Sequence, residues 1–224
     1  MPLANCKEIY DEGQTTSGLY RIDPAGSEGE FTVFCDMTLQ NGGWTVIQRR
    51  VNDDITFNRD WKAYRNGFGE FNENFWLGLQ KIKDITDYDG ATYELYIGME
   101  SFHPTDKARF SLYDSFSLGT ETAKYSLDIG ALDSASDAGN SLTDHDGEKF
   151  STPDQDNDSH TTKHCADDFN SGWWYHNCHD SHLNGEWYAD GVLPNTSVPD
   201  GLIWETWRGD TESLKTTVMA VRPA

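Results

Sequence analysis

Alternating carboxylates mark one polar loop as a candidate metal site. The segment Asp154-Gln155-Asp156-Asn157-Asp158 places an acidic side chain at every second position. A hard cation such as Ca²⁺ takes about six to eight oxygen ligands, and such a cluster can supply the first of them. The segment resembles the start of an EF-hand loop but departs from it at Ser159 and Cys165, where that loop has Gly and Glu. Calcium would therefore need a different geometry, completed by the carbonyl groups of His160 and Thr162; a solvated acidic loop is the alternative.

An aromatic stretch beside a cysteine is the second candidate site. Residues 172–179 combine three aromatic side chains with two histidines, and Trp or Tyr next to hydrogen-bonding groups can bind a sugar or a small acylated ligand. Trp173 and Trp174 would face opposite sides of a strand, so at least one of them is expected in the core. His176 and His179 could bind a metal ion, but the sequence places no third ligand near them. We expect these two histidines to line a polar pocket.

No sequence motif supports catalysis. The chain contains neither the nucleophile elbow of hydrolases nor the zinc-protease, phosphate-loop or dinucleotide-binding motifs. Asp167 and Asp168 could be imagined as a glycosidase pair, but the sequence gives no separation for their carboxyl groups. We therefore expect a binding protein and not an enzyme.

Charge and hydropathy restrict the possible partners. The 38 acidic and 17 basic residues give a net charge of −21, which repels phosphate backbones, so nucleic acid is not an expected partner. No apolar run reaches the roughly 18 residues of a membrane span, and Met1-Pro2-Leu3 does not resemble a signal peptide. The chain is expected to be a mature fragment or an expressed domain without a membrane span.

The four cysteines point to structural disulfides. Three connectivities are possible, and proximity in sequence favours Cys6 with Cys35 and Cys165 with Cys178. The spacing of zinc knuckles and redox motifs is absent, which favours disulfides and an oxidising, extracellular compartment. The sequon at Asn195 predicts a glycosylated asparagine in a secreted protein.

Strands and short helices must position these sites. Alternating apolar residues predict strands, and Asn41-Gly42-Gly43 predicts a hairpin turn before one of them. The predicted strands are residues 18–22, 31–35, 44–50, 93–99, 108–113 and 214–222, and residues 125–132 could extend the same sheet. Short helices are predicted at residues 6–10 and 61–64, and a longer one at 74–82. The polar loop 134–168 has too few apolar residues to bury itself, so it is disordered or organised by a ligand such as a metal ion.

Several motifs in order give the chain a family resemblance. Over residues 5–223 it resembles the fibrinogen C-terminal domain of ficolins, tachylectins, angiopoietins, tenascins and fibrinogen. The resemblance rests on Gly42-Gly43-Trp44-Thr45-Val46-Ile47-Gln48-Arg49-Arg50, Tyr64 with Gly67-Phe68-Gly69, Phe75-Trp76-Leu77-Gly78, Phe150-Ser151-Thr152 before the aspartate run, and residues 172–185.

This resemblance implies an α+β fold, the fibrinogen C-terminal globular fold, in one domain at residues 5–223 after linker residues 1–4. Its parts would be a small N-terminal disulfide subdomain (about 5–45), a central, mostly antiparallel sheet (46–135 and 214–223), and a loop-rich calcium- and ligand-binding region (136–213).

The resemblance also implies site residues. Ca²⁺ would be held by the side chains of Asp156 and Asp158 and the carbonyl groups of His160 and Thr162. A cis peptide between Asn177 and Cys178 would direct backbone amides and His179 at a ligand. The remaining pocket positions correspond to Phe169, Val198 and Asp210. Only Phe169 is aromatic, unlike the pocket of acetyl-binding members, and Asp210 would favour a hydroxyl group or a positive charge.

The expected function is that of a secreted, calcium-binding, lectin-like module of innate immunity. It would bind glycans or N-acetylated groups, such as those on microbial surfaces, and gain avidity as a homo-oligomer. The alternative is a protein-interaction domain without sugar binding, either a ligand of a cell-surface receptor or an extracellular-matrix module.

Overall fold

The strands predicted from apolar alternation form one large antiparallel sheet. The computed structural model describes residues 3–194 and 198–224. Its strands are β1 (Gly18–Ile22), β2 (Phe31–Asp36), β3 (Trp44–Arg50), β4 (Phe68–Gly69), β5 (Phe75–Trp76), β6 (Tyr93–Glu100), β7 (Ala108–Tyr113), β8 (Phe116–Leu118), β9 (Leu127–Ile129), β10 (Ser181–His182), β11 (Ile203–Trp204) and β12 (Thr216–Pro223). The main sheet has the order β1-β2-β3-β12-β6-β7, and β5 pairs with both β3 and β4. The α+β fold with a central antiparallel sheet is thereby confirmed.

The last strand of the chain lies in the middle of this sheet. β12 is inserted between β3 and β6, so Val218 is paired with Arg49 on one side and with Gly98 on the other. The register with β3 shifts between Met219 and Ala220, where a bulge interrupts the ladder. The C-terminal segment therefore joins the N-terminal strands to the central ones.

The helices are short, and their starts follow the capping residues in the sequence. They are α1 (Cys6–Asp11), α2 (Trp61–Asn66), α3 (Leu79–Thr86), α4 (Cys165–Asp168) and α5 (Glu205–Arg208). The Asn5 side chain accepts a hydrogen bond from the backbone N–H of Glu8, and Asp60 accepts one from Ala63, as N-caps do. Among the residues described, no helix has the length and apolar character needed to cross a membrane.

The helix predicted over residues 74–82 is wrong in its first half. Phe75 and Trp76 are both buried and form β5, which is paired with Arg49 and Gln48 of β3. The chain then turns at Gly78, whose φ of 111° is available to glycine but strained for other residues. α3 consequently begins only after this residue.

The extension of the main sheet by residues 125–132 is confirmed only at its last residue, because Leu132 forms an isolated antiparallel bridge with Tyr113 of β7. β9 is paired with β8 in a separate two-stranded sheet. The outer edge of β7 is already occupied, because Ser136 Oγ accepts the N–H of Leu112 at 3.0 Å and Asp137 Oδ1 accepts that of Phe110 at 2.8 Å. Backbone N–H groups of the following loop also donate to β7, as Asp133 does to the carbonyl oxygen of Leu112 at 2.8 Å, so an irregular loop takes most of the hydrogen bonds that another strand would have made.

The C-terminal polar region is held by an aromatic core and by disulfides. Trp173, Trp174 and Tyr175 are all buried, so both tryptophans are interior and not only one. The disulfides Cys6–Cys35 and Cys165–Cys178 are formed as predicted. Phe150 anchors the polar loop by packing against Tyr64 and Trp174. The predicted glycosylation site, Asn195, lies outside the described residues.

Candidate functional site

The first aspartate of the acidic loop serves the fold. Asp154 Oδ1 accepts the backbone N–H of Trp61, the first residue of α2, at 2.8 Å. Asn157 Nδ2 donates to the carbonyl oxygen of Phe150 at 2.9 Å, and its backbone N–H donates to Ser151 Oγ at 3.0 Å. These bonds fix the start of the loop. Because the Asp154 carboxylate is used in this way, Asp156 and Asp158 remain as the candidate cation ligands.

Asp156 and Asp158 lie side by side in the next turn. The backbone N–H of Asp158 donates to Asp156 Oδ1 at 3.3 Å, so the Asp156 carboxylate lies directly beside the backbone of Asp158. Asp158 Oδ1 accepts the N–H of His160 at 2.9 Å, and its Oδ2 accepts the N–H of Cys165 at 2.8 Å. Burial raises the pKa of the Asp158 carboxyl above its ordinary value, and the charge of Asp156 adds to the increase. A cation between the two carboxylates would relieve this repulsion.

The predicted carbonyl ligands belong to the same turn. His160 Nδ1 accepts the backbone N–H groups of Thr162 and Lys163, both at 3.2 Å. Within the described ranges, no hydrogen bond ends on the carbonyl oxygen of His160 or Thr162. Two adjacent carboxylates and two available carbonyl groups fit the oxygen preference of Ca²⁺. No group of three or more His, Cys, Asp or Glu side chains suited to a metal ion occurs in the part of the chain that the structure describes.

A disulfide connects this turn to the second candidate site. Cys165 begins α4, and its partner Cys178 follows a cis peptide bond after Asn177, as the family resemblance implied. The N–H of His176 donates to the carbonyl oxygen of Cys178 at 2.9 Å. Because Asp158 accepts the N–H of Cys165, the acidic turn and the 176–178 segment are linked through one disulfide.

An open cleft of about 320 Å³ lies at this junction. We call it the Cys178 cleft. Its lining residues are His160, Lys163, Phe169, Asn177, Cys178, His179, Pro199, Glu205 and Asp210. The structure thus gathers five of the six predicted ligand residues around one space. Val198 does not line the cleft; its neighbour Pro199 occupies that part of the wall.

His179 forms an apolar wall of the cleft together with Phe169. The two rings meet edge to face with centroids 4.4 Å apart, and His179 is also stacked on His182 at 5.1 Å. The residue as a whole is only partly buried, yet both ring nitrogens are shielded and have no hydrogen-bond partner among the described residues. Burial lowers the pKa of His179 to about 3, and the nearby His145 contributes in the same direction. His179 is therefore neutral at physiological pH.

One buried histidine, His145, fixes the backbone that follows His179. His145 Nε2 accepts the N–H groups of Asp180 and Ser181 at 3.2 and 3.1 Å, and its Nδ1 donates to the carbonyl oxygen of Trp174 at 2.6 Å. This pattern requires the neutral tautomer with its proton on Nδ1. His176, by contrast, is not among the residues that line the cleft, and it pairs with Asp144 at 3.1 Å. Only one of the two predicted pocket histidines therefore lines the cleft.

Acidic side chains give one side of the cleft a negative potential. Glu205 and Asp210 both line it. The pKa of Glu205 is raised by partial burial and by the charges of Asp180 and Asp210. Lys163 adds one positive charge to the lining. The cleft therefore combines an apolar wall, backbone polar groups and a negative side, which suits the orientation of a small polar ligand.

Comparison with known proteins identifies the family. The family described as "Fibrinogen beta and gamma chains, C-terminal globular domain" matches residues 3–224. This chain belongs to that family. As a fibrinogen C-terminal domain, it is a module that interacts with ligands or proteins.

Relatives of this fibrinogen C-terminal domain share both its sequence and its shape. Fibrinogen-like protein 1 of Rattus norvegicus is 41% identical over 235 residues, which cover 99% of this chain and 72% of the rat protein. The fibrinogen-like globe domain of human ANGPTL2 has a TM-score of 0.92 and 37% identity, with 99% of each chain covered. Lamprey fibrin D-dimer, solved with the peptide ligand Gly-His-Arg-Pro-amide, has a TM-score of 0.91 and 36% identity, and covers 100% of this chain and 74% of the lamprey chain.

Three residues that line the cleft were not predicted from the sequence. Lys163, Pro199 and Glu205 come from the acidic loop, the loop before β11 and the start of α5. No local motif connects these segments, because they meet only through the fold of this fibrinogen C-terminal domain. The one available signal was that Lys163 lies two residues before a disulfide cysteine already assigned to the site.

Proposed function

We propose that this domain is a secreted, calcium-supported recognition module that binds a small glycan or an acetylated group in the Cys178 cleft. The observation that carries the proposal is the meeting of an aromatic wall, backbone polar groups and a cation-suited turn at one disulfide. The two disulfides are consistent with an oxidising, extracellular location. No covalent chemistry is needed for this function.

Calcium supports the cleft through the Cys165–Cys178 disulfide. In the proposed site the carboxylates of Asp156 and Asp158 would hold the ion, with carbonyl groups of His160 and Thr162. Because the same Asp158 carboxylate accepts the N–H of Cys165, a bound ion would fix the start of α4 relative to the acidic turn. Calcium would thereby order one side of the cleft without contacting the ligand.

The shape and chemistry of the cleft favour a small acylated or hydroxylated ligand. The Phe169 and His179 rings offer an apolar surface of the size of a methyl group or one face of a sugar. Since about 320 Å³ is near the lower end of small-molecule sites, each cleft would bind weakly. Assembly of several copies would then supply the avidity expected of a pattern-recognition protein on a microbial surface.

A second candidate ligand is a protein segment with a positively charged group. Glu205 and Asp210 on one side of the cleft favour an ammonium or guanidinium group. The lamprey fibrin relative was solved with Gly-His-Arg-Pro-amide, a peptide that carries such groups. This chain would then act as a receptor ligand or matrix module, without sugar binding.

Affinity chromatography tests the leading proposal. The protein is applied in calcium to immobilised N-acetylglucosamine and then eluted with free acetate or with a chelator. Retention and release by both are expected, and Phe169→Ala should abolish retention because it removes the aromatic wall. Phe31→Ala, a partly buried phenylalanine of β2 outside the cleft, should behave like the unchanged protein.

Two probes and the variant Asp210→Asn separate the two ligand classes. If a folded, calcium-loaded protein passes through the N-acetylglucosamine column, acetyl-directed binding is wrong. If it instead binds Gly-His-Arg-Pro-amide and loses that binding on Asp210→Asn, the cationic-peptide function is supported. If the folded, calcium-loaded protein binds neither probe, both assignments of the cleft are contradicted.

A further inference from the structure

A larger hollow lies on the main sheet and shares no lining residue with the Cys178 cleft. Its volume is about 440 Å³. Gly98 of β6 and Val218 of β12 form its floor, where the two residues are paired in the sheet register. Nothing in the proposed calcium or ligand site uses this face of the molecule.

One wall of the hollow is aromatic because Gly98 leaves room for it. A Cβ atom at Gly98 would lie 2.9 Å from the Tyr96 ring and 3.0 Å from Val218, so only glycine allows Tyr96 to lie this close. The Tyr96 ring is stacked on Phe110 with centroids 5.5 Å apart and planes 16° apart. The floor and this wall together give a flat, partly apolar surface with one phenolic hydroxyl group.

A half-buried cation without an ion pair lies at one end of the hollow. Arg49 Nη1 donates to the carbonyl oxygen of Phe71 at 3.0 Å, and the guanidinium lies 4.5 Å over the Phe34 ring. No carboxylate among the described residues forms an ion pair with it. Arg109, which also lines the hollow, is already paired with Asp106 at 3.0 Å. Arg49 therefore keeps donors that no described carboxylate occupies.

Asp36 also lines the hollow, but it forms no ion pair with Arg49. Its Oδ1 accepts hydrogen bonds from the backbone N–H groups of Thr38 and Leu39, both at 2.9 Å. Burial lowers the pKa of Arg49, and the charge of Asp36 opposes this only in part. A half-buried guanidinium that has lost water without gaining a carboxylate is suited to an external one.

The end of the hollow opposite Arg49 suits uncharged hydrogen-bonding groups of a ligand better than a second negative charge. Glu100 and Thr216 face each other there across the β6–β12 pairing. The Glu100 carboxylate forms no ion pair with any described residue. A carboxylate and a hydroxyl group bind sugar hydroxyls, whereas Glu100 would repel a second anion. The net charge of −21 also disfavours a polyanion.

We propose that this hollow binds a single carboxylate carried on a sugar ring, as in a uronic acid unit of a glycan. The carboxylate pairs with Arg49, the apolar face of the ring lies over Gly98 and Val218 beside Tyr96, and the distal hydroxyl groups reach Glu100 and Thr216. The site is independent of the Cys178 cleft and of calcium.

NMR titration with methyl β-D-glucuronide tests this site. Saturable shifts are expected at the backbone amides of Gly98, Val218 and Thr216, and the neutral methyl β-D-glucoside should bind at least roughly tenfold more weakly. Arg49→Gln should weaken glucuronide binding by a similar factor, with Arg49→Lys in between because it keeps the charge but loses the paired donors. Arg21→Gln, which removes an exposed arginine paired with Glu30, is the matched control.

Several results would overturn the proposal. These are no saturable shift with glucuronide, equal binding of glucoside, or unchanged binding by a folded Arg49→Gln variant. Tighter binding of heparin than of glucuronide at the same amides would replace it with a polyanion surface. Chelation of calcium should leave these shifts unchanged, so failure of the calcium site and failure of the hollow give different results.

Discussion

Replacement of Asp158 by Asn is the sharpest test of the calcium proposal. The side chain keeps its size but loses its negative charge and one of its two acceptor oxygens. Those oxygens accept the N–H groups of His160 and Cys165, and the charge of Asp156 acts on the same carboxylate. The substitution should therefore remove calcium binding, while relief of the repulsion with Asp156 offsets part of the lost hydrogen bonding.

The expected effect on thermal stability can be calculated. A ligand present at about 100 times its Kd, and bound only by the folded state, stabilises by about 2.7 kcal/mol. For a domain of about 150–250 residues, 1 kcal/mol shifts the Tm by about 2–4 °C. Saturating calcium should thus raise the Tm of the unchanged protein by about 5–11 °C, and that of Asp158→Asn by almost nothing.

Thermal melts in calcium chloride and in a chelator provide the assay. Asp53→Asn is the matched control, because Asp53 is an exposed aspartate outside the acidic loop, and it should keep the full shift. An identical Tm with and without calcium in the unchanged protein would refute the site. So would an Asp158→Asn variant that retains the whole increase.

Three further predictions concern the framework. Replacing Cys6 and Cys35 together by Ala opens a loop with a sequence separation of 29 residues, which should cost about 3.5 kcal/mol of unfolding free energy in urea titrations. Gly185→Ala should cost about 1–3 kcal/mol in the same assay, because the new Cβ would overlap the carbonyl oxygen of Gly201. His179 has a folded pKa of about 3 against an ordinary 6.5. Its contribution to the free energy of unfolding is therefore fully present above pH 6.5 and is lost as the pH falls toward 3, by up to about 1.4 kcal/mol per pH unit.

Each of these has a control and a contradicting outcome. Gly18→Ala places its Cβ in open space and should be nearly neutral; equal losses at both glycines would refute the overlap argument. His179→Asn should flatten the acid dependence, whereas the exposed His103→Asn should not. A double cysteine variant as stable as the unchanged protein would show that the disulfide does not restrict the unfolded chain.

The sequence predicted the strands better than the segments that connect them. Period-two alternation identifies β6 and β12 because each has one buried face. Apolar spacing gave the wrong result at Phe75. Its spacing with Leu79 and Ile82 is helical, although Gly78 separates a strand from a helix. Apolar spacing does not show where the backbone changes direction.

The candidate site was predictable only in part for a related reason. Asp156 and Asp158 are two residues apart in sequence, and the structure keeps them side by side. Pro199 and Glu205 reach the Cys178 cleft from distant segments, and the position of such residues depends on tertiary packing. The family resemblance named Phe169 and Asp210, which line the cleft, and Val198, whose neighbour Pro199 lines it instead.

The most direct measurement is an NMR titration of the calcium-loaded domain with N-acetylglucosamine. The account predicts saturable shifts at the amides of Phe169, Asn177, His179 and Asp210, which line the Cys178 cleft, and loss of these shifts after chelation. Shifts confined to another surface, or saturable binding that persists without calcium, would contradict the proposed calcium-supported cleft.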